Sequence, residues 1–201
     1  SELRIHGAAQ LQSLEPLEGL ESLREASLCG LHRVRDLSGI QNMTQLRELQ
    51  LAHCHGLESL DGLAELPALE TLDLRGCRSL ASLKLPDLPS LRELDLSGCA
   101  ELEEVFSLAR APGLQRLSLS PRRDTYMDGI GHCAELQQLN LSGEGIEDLD
   151  FLEELEQLRS LSLHLATAGD LQGLLLAPSL RQVHVSDSLM SAASALLARR
   201  P

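Results

Sequence analysis

The sequence predicts an α/β solenoid, in which a short β-strand and a return segment repeat about nine times to build one curved parallel sheet. Two observations support this fold class. A strand motif with alternating leucines recurs along the whole chain in steps of 22 or 23 residues, and apolar residues recur at every third position after the strand. No single repeat of this length buries its apolar face alone, whereas stacked neighbours do. We therefore expect residues 1–201 to form a single domain.

The strand motif reads LxxLxL, for example in LRELQLAHC, LETLDLRGC and LRELDLSGC. A first copy, ELRIHGA, is already a strand at the start of the chain. Complete or nearly complete copies begin at Leu23, Leu46, Leu69, Leu91, Leu114, Leu136, Leu158 and Leu180. Successive side chains of a strand point to opposite faces. The motif leucines therefore face the core, and the residues between them face solvent.

The return segments carry apolar residues with a period of three, as in Leu57, Leu60, Leu63 and Leu66. A period of three favours a tight 3₁₀-like or extended path over a 3.6-residue helix. These segments should form the convex side of the solenoid.

The two ends of the chain differ. Residues 188–200 leave the repeat frame and predict a capping helix, with Ser188 as N-cap and the basic pair Arg199 and Arg200 in its last turn. One face of this helix would cover the open end of the core. That face is formed by Leu189, Ala193, Leu196 and Leu197. The N-terminus enters a strand at once without such a cap, and we expect either that the natural chain continues upstream or that another segment covers this edge.

The pattern LxxLxLxxN/C resembles that of leucine-rich repeat proteins. The segment LSGEGIEDLDFLEELEQL, residues 141–158, resembles the internalin and phosphatase-regulator type of repeat, and the strand ends LSGC and LRGC resemble repeat domains of immune-receptor-type NTPases. The resemblance implies a right-handed solenoid with its sheet on the concave side. It also implies a binding function.

His53, Cys54 and His55 look like a metal site or a nucleophile beside its base. The repeat frame places Cys54 in the Asn/Cys slot of the motif, together with Cys77 and Cys99. That slot points inward, where cysteine behaves as a small buried apolar residue. The two histidines flank an inward residue and do not converge on one ion. The sequence therefore predicts a buried cysteine column, with neither metal nor cofactor.

The other cysteines have no paired spacing. Cys133 fills an inward position of the return segment, and Cys29 falls on an outward strand position, where we expect an accessible thiol. This arrangement argues against a disulfide scaffold and for a reducing compartment. We accordingly expect a cytoplasmic protein.

The charge balance limits the classes of partner that we expect. The chain has 17 Lys+Arg and 30 Asp+Glu, a formal net charge of −13. Nucleic acid and anionic membranes attract basic surfaces, so neither is an expected partner. No apolar run reaches the length of a membrane span. No phosphate-binding glycine loop or nucleophile elbow is present, and we do not expect an enzyme.

The outward strand positions are unevenly charged. In the first five strands they carry six acids and two arginines, whereas the last four are rich in serine. Complementary charge mainly affects association rate and partner choice. The sequence thus predicts an acidic concave patch that binds a protein with a basic patch. Its candidate contact residues are Glu25, Glu48, Asp73, Arg75, Glu93, Asp95 and Arg116.

The most irregular stretch is SPRRDTYMDGIG, residues 120–131. Pro121 ends the strand because it has no N–H to donate. Arg122 falls in the inward slot, which an unpaired charge does not fill, so the segment should bulge outward. We expect this loop to lie between the acidic and serine-rich halves of the concave face. The hypothesis assigns partner contacts to Arg123, Asp124 and Tyr126, because Arg and Tyr are common in binding hot spots.

Two functional roles remain open at this point. One is the sensing or docking domain of a larger, multidomain protein. The alternative is a standalone scaffold or a regulatory subunit of an enzyme such as a phosphatase, as the resemblance implies. Both are binding functions, since the fold by itself specifies only a surface.

Overall fold

The computed structural model describes residues 1–64, 66–122 and 124–198, and within them nine parallel strands form one open, curved sheet. The strands follow one another in sequence order, each hydrogen-bonded to the next. Their bounds are Glu2–Arg4 (β1), Glu25–Ser27 (β2), Glu48–Gln50 (β3), Thr71–Asp73 (β4), Glu93–Leu96 (β5), Arg116–Leu119 (β6), Gln138–Ile146 (β7), Ser160–Ala168 (β8) and Gln182–Val185 (β9). The predicted α/β repeat solenoid is confirmed.

The strand register aligns the motif leucines. Leu49 lies opposite Leu72, and Leu72 lies opposite Leu94. The aligned leucine columns form a continuous core. Full burial of each leucine side chain contributes about 1.5–3 kcal/mol to stability. The two inward columns are fully buried from β3 to β8 and comprise Leu49, Leu72, Leu94, Leu117, Leu139 and Leu161 in the first, and Leu51, Leu74, Leu96, Leu119, Leu141 and Leu163 in the second.

The return segments form the opposite layer. They contain 3₁₀ helices at Glu15–Leu17, Phe106–Arg110, Asp128–His132 and Asp150–Glu154, and a short α-helix, α1, at Gly173–Leu176. The ladder of apolar residues at every third position is buried beneath them. The predicted 3₁₀-like return path is confirmed.

Polar side chains begin most of these turns in the same way. A Ser, Asp or Glu oxygen accepts a hydrogen bond from the backbone N–H two residues later, at 2.8–3.1 Å. We call this set the capping column: Ser13, Asp36, Ser59, Glu104, Asp148 and Asp170. Such bonds satisfy N–H groups that have no partner inside the first turn.

The cysteine column is also confirmed. Cys54, Cys77 and Cys99 are buried, and each thiol donates to a backbone carbonyl of the preceding repeat. The Cys54 thiol lies 3.1 Å from the Leu28 oxygen, and the Cys99 thiol lies 3.2 Å from the Leu74 oxygen. Cysteine thus performs the backbone-satisfying role of this slot with a weak donor.

The second helix, α2, spans Asp187–Leu197 and packs against β8, β9 and α1. It buries Leu189 and Ala193, with Leu196 and Leu197 partly buried against the core, as predicted. The predicted N-cap of this helix, Ser188, is wrong. The N-cap is Ser186, which makes no side-chain capping bond. The hydroxyls of Ser186 and Ser188 instead donate to the Leu165 carbonyl of β8. Arg199 and Arg200 lie outside the described residues.

Close approach of neighbouring repeats requires glycine on the convex side. A Cβ added to Gly129 would lie 2.1 Å from the Val105 carbonyl oxygen. The same crowding by backbone atoms of the preceding repeat occurs at Gly39, Gly62 and Gly173. Side chains at these positions would push adjacent turns apart.

Changing Gly129→Ala should lower the free energy of unfolding by about 1–3 kcal/mol, the usual cost of overpacking. Gly131→Ala in the same 3₁₀ helix is the matched control, because the three atoms nearest to its Cβ all belong to the end of the Glu154 side chain, which can rotate away. Urea denaturation would measure both. Equal effects of the two substitutions would contradict the close-approach explanation.

Cys54, Cys77, Cys99 and Cys133 should react slowly with a thiol reagent in the folded protein, and Cys29 should react first. Burial raises the pKa of all four buried thiols, to about 12 for Cys99 and Cys133, which leaves little thiolate to react. Cys29 is partly exposed. Mass spectrometry after brief labelling would locate the modified residues. Rapid labelling of the four buried thiols would show that the column is open to solvent.

Candidate interaction surface

The concave face carries the outward side chains of the nine described strands in aligned columns. Glu25 pairs in register with Glu48, and Asp73 with Asp95. In every neighbouring pair of strands, two outward residues lie opposite the corresponding outward residues of the next strand, as the repeat frame predicts. The sheet thereby brings together residues that are 22 or 23 positions apart in sequence.

Arg75 joins two of the predicted acids. Its Nη2 lies 2.7 Å from Asp73 Oδ2, and its Nε lies 3.6 Å from Asp95 Oδ2. The hydrogen bonds and charge of Asp73, followed by the charge of Asp95, raise the pKa of Arg75. Asp73 is only 9% exposed. This arginine therefore neutralises much of the acidic character at β4 and β5.

Arg116 pairs with Glu93 on the neighbouring strand. The Arg116 Nε donates to Glu93 Oε2 at 3.0 Å, and its Nη2 contacts the same oxygen. Both side chains are exposed enough that the pair contributes little to stability. It does, however, remove a free carboxylate from the centre of the predicted acidic patch.

Glu25 and Glu48 differ from the other acids. They lie directly opposite each other on β2 and β3, and within the described part of the chain neither has a cation partner. Like charges directly opposite in a sheet repel each other. Glu25 and Glu48 are therefore the two predicted contact acids of the sheet that form no ion pair within the described ranges.

A chain of hydrogen bonds orients Glu48. The His6 Nε2 lies 3.1 Å from the Ser27 hydroxyl, which donates to Gln50 Oε1 at 2.9 Å. The Gln50 amide in turn donates to Glu48 Oε1 at 2.5 Å. The predicted contact residues did not include His6, Ser27 or Gln50. Their outward positions beside Glu25 and Glu48 were the sequence signal that could have identified them.

These residues surround a shallow depression of about 250 Å³. Its other charged lining residues, Glu2 and Arg4, form an ion pair with each other. Polar and charged side chains make up almost the whole lining. The depression is suited to a basic side chain and not to a large apolar ligand.

The irregular loop follows the prediction only in part. Pro121 is buried, and Arg122 points outward, where its Nη2 lies 3.1 Å from Asp124 Oδ2 and its Nη1 lies 3.6 Å from Glu101. The hydrogen bond from Arg122 lowers the pKa of Asp124. The third predicted contact of this loop, Arg123, lies outside the described residues.

The predicted position of Tyr126 beside the concave face is wrong. Tyr126 lies outside the nine-stranded sheet and forms an isolated parallel bridge with Glu104, just before the 3₁₀ helix Asp128–His132. Six residues lie between it and the end of β6, which is enough for the chain to turn around the core edge to the convex layer. Asp124 and Tyr126 consequently belong to a different surface from Glu25 and Glu48.

The two histidines flanking Cys54 contact each other edge-on, with ring centroids 6.0 Å apart, but the Cys54 thiol does not join them. The Cys54 thiol is directed at the Leu28 carbonyl, whereas the His55 ring stacks on His32 with centroids 4.9 Å apart. His53 has a left-handed backbone, with φ of 62°. Among the described residues, no group of three or more His, Cys, Asp or Glu side chains could hold a metal ion.

Purified protein should accordingly contain no stoichiometric zinc, because the three side chains would have to leave their present contacts to meet. Elemental analysis after exposure to zinc would measure the content. Zinc that binds at one equivalent and is lost on Cys54→Ser would contradict this prediction.

No helix in the described ranges has the length and apolar character needed to cross a membrane. The molecule is an α/β solenoid with two aligned surfaces and a continuous apolar core, an architecture typical of binding scaffolds.

The comparisons with known proteins identify the family. The protein-family model described as "At1g61320/AtMIF1, LRR domain" matches residues 18–146, more than half of the chain. The chain belongs to this leucine-rich repeat family. A comparison with curated protein sequences returns no significant match.

Solved structures share the fold. An internalin (inlF) from Listeria monocytogenes is 21% identical, with a TM-score of 0.54 over 92% of this chain and 66% of that chain. The TLR13 chain of a complex with ssRNA13 is 22% identical, with a TM-score of 0.58 over 86% of this chain and 30% of that chain. The present chain spans less than two thirds of either protein. Fold and family together define a protein-interaction or recognition module, and such folds are typically non-enzymatic.

Proposed function

We propose that this module binds a protein partner whose lysine or arginine side chains dock on the concave face at Glu25 and Glu48. The observation that carries the proposal is the direct pairing of these two carboxylates, neither of which forms an ion pair among the described residues, although Arg24 and Arg47 line the adjoining surface. A partner cation relieves their mutual repulsion, because it adds a direct ion pair that the free domain lacks at this place.

The geometry supports a specific contact. Neighbouring strands lie about 4.8 Å apart, so one guanidinium or ammonium group reaches both carboxylates. The hydrogen-bond chain from His6 through Ser27 and Gln50 holds Glu48 in place before binding. A preorganised group loses less conformational entropy when the complex forms.

The remaining predicted residues have a secondary role in this proposal. Asp73 and Asp95 share Arg75, and Glu93 shares Arg116. These pairs are rim contacts that align the partner, and rim charges act mainly on association rate. The serine-rich half of the sheet contributes uncharged hydrogen-bonding groups.

The partner in this proposal is a protein and not a nucleic acid. The net charge of −13 repels phosphate backbones, and the most open part of the concave face is anionic. The likeness to TLR13 concerns the fold alone at 22% identity. We place the interaction in the cytoplasm, where five cysteines without a disulfide among them are expected.

The module fits two cellular roles: the sensing or docking domain of a multidomain protein, and a scaffold or regulatory subunit of an enzyme such as a phosphatase. The acidic docking patch serves both. Co-purification of the endogenous complex would separate them, since an enzyme recovered as a stoichiometric separate chain supports the regulatory role.

Selection from a random peptide library on the wild-type domain should enrich lysine and arginine. The double substitution Glu25→Lys and Glu48→Lys should weaken the selected peptides at least about tenfold, or about 1.4 kcal/mol. Isothermal titration calorimetry would measure the affinities, and raising the salt concentration should reduce wild-type binding.

Glu135→Lys with Glu156→Lys is the matched control. It changes the net charge by the same amount at two exposed sites outside the sheet. This control should retain most of the affinity. Equal losses in both double variants would show that the attraction depends on total charge, and the assignment to Glu25 and Glu48 would be wrong.

A further inference from the structure

Two exposed aromatic residues lie side by side on the convex layer. Phe106 is 51% exposed and Tyr126 is 65% exposed, and their rings stack with centroids 6.3 Å apart and planes 27° apart. The chain has only three Phe, Tyr or Trp residues in total. Two of the three therefore meet in one solvent-exposed patch, although the core contains abundant buried positions for them.

Tyr126 departs from the capping column in the type of its side chain, whereas Ser82, the other position of this column without a local capping bond, carries a short hydroxyl that donates to Glu104. Its place in the repeat frame lies 22 residues after Glu104 and 22 before Asp148, both of which cap the following turn. A phenol at the end of a rigid ring does not replace the short oxygen-bearing side chain that accepts this local bond. Tyr126 thus occupies a position where serine or aspartate serves the fold better.

Phe106 interrupts a second polar column, two residues further along each repeat. The other members of that column are Glu15, Ser38, Asp61, Lys84, Asp128, Asp150 and Gln172. Phe106 alone leaves a large apolar ring in solvent there. At both positions an aromatic residue replaces a polar one without benefit to its own turn. Two such replacements side by side indicate contact with another molecule.

The surroundings of Tyr126 define the chemistry of that molecule. A groove of about 570 Å³ adjoins its ring, and the buried side chains of Met127 and Phe151 contribute apolar lining. No lysine or arginine is among the described residues that line it. Its acidic lining residues are Asp124, Asp128, Glu147, Asp148, Asp150, Glu153 and Glu154.

We propose that Phe106, Tyr126 and the adjoining groove form a second docking site, which binds an arginine-bearing segment of a protein partner. An arginine guanidinium stacks on the Tyr126 ring, and its N–H groups donate to carboxylates of the groove. Arginine is favoured over lysine because its planar, weakly hydrated group combines stacking with forked hydrogen bonds. This site lies on the convex layer and is separate from the concave patch.

The site is tested with two probe peptides of equal length and charge, one alternating glycine with arginine and one alternating glycine with lysine. Wild-type protein should bind the arginine peptide at least about tenfold more tightly. The double substitution Phe106→Ser and Tyr126→Ser should remove this preference and weaken arginine-peptide binding at least about tenfold. Fluorescence anisotropy would measure the affinities.

The serine substitutions follow the repeat itself, since Ser38 occupies the Phe106 column and Ser13 and Ser59 occupy the capping column. The melting temperature of the double variant should therefore stay unchanged or rise. If the melting temperature falls by several degrees, the aromatic pair stabilises the solenoid and the proposal is wrong.

Two further variants complete the test. Met190→Ser removes another exposed apolar side chain, 48% exposed on α2, and should leave both affinities unchanged. Glu25→Lys with Glu48→Lys should preserve the preference for arginine, because the concave patch is a different site. Persistence of the arginine preference in the Phe106 and Tyr126 double variant, or its loss in the concave variant, would overturn the proposal.

Discussion

The parallel hydrogen-bond ladder between successive repeats is the constraint on which the other features depend. It sets the strand spacing, so each residue lies directly above its counterpart in the next repeat. Leu49, Leu72 and Leu94 become one buried column for this reason. The same translation brings the Cys54 thiol to the Leu28 carbonyl and brings the backbone at Gly129 close to Val105.

Because the repeats stack, each residue can also be compared with the residues at the same position of the other repeats. Where most members of a column share one role, the role is structural, as in the capping column and the cysteine column. A departure at a single repeat requires another explanation. Tyr126 and Phe106 depart in this way, and their contact at the surface unites two irregularities that are 20 positions apart in sequence.

Electrostatics on the concave face depends on pairing more than on composition. The acids of the first five strands look equivalent in sequence, but Arg75 and Arg116 engage three of them. Glu25 and Glu48 stay unpaired because the neighbouring outward positions supply glutamine and serine instead of arginine. An electrostatic surface of this kind is therefore uneven even where its formal charge is uniform.

The repeat pattern was sufficient to predict the repeat length, the number and order of strands, the inward leucines and the buried cysteine column. All of these depend on local period and on stacking between adjacent repeats, which a regular pattern specifies. It also showed that Arg122 leaves the core, since an unpaired charge is not buried. The N-cap of α2 at Ser186 was missed, because several serines there offer equivalent caps in sequence.

The neutralised acids and the layer on which Tyr126 lies could be identified only from the folded molecule. Ion pairing depends on side-chain rotamers within a few ångströms, and those distances are not encoded in spacing along the chain. The path of residues 120–126 depends on how the chain turns past the core edge after Pro121, a choice made by packing against the preceding repeat. For that reason the sequence located the irregular loop correctly along the chain but placed it on the wrong face.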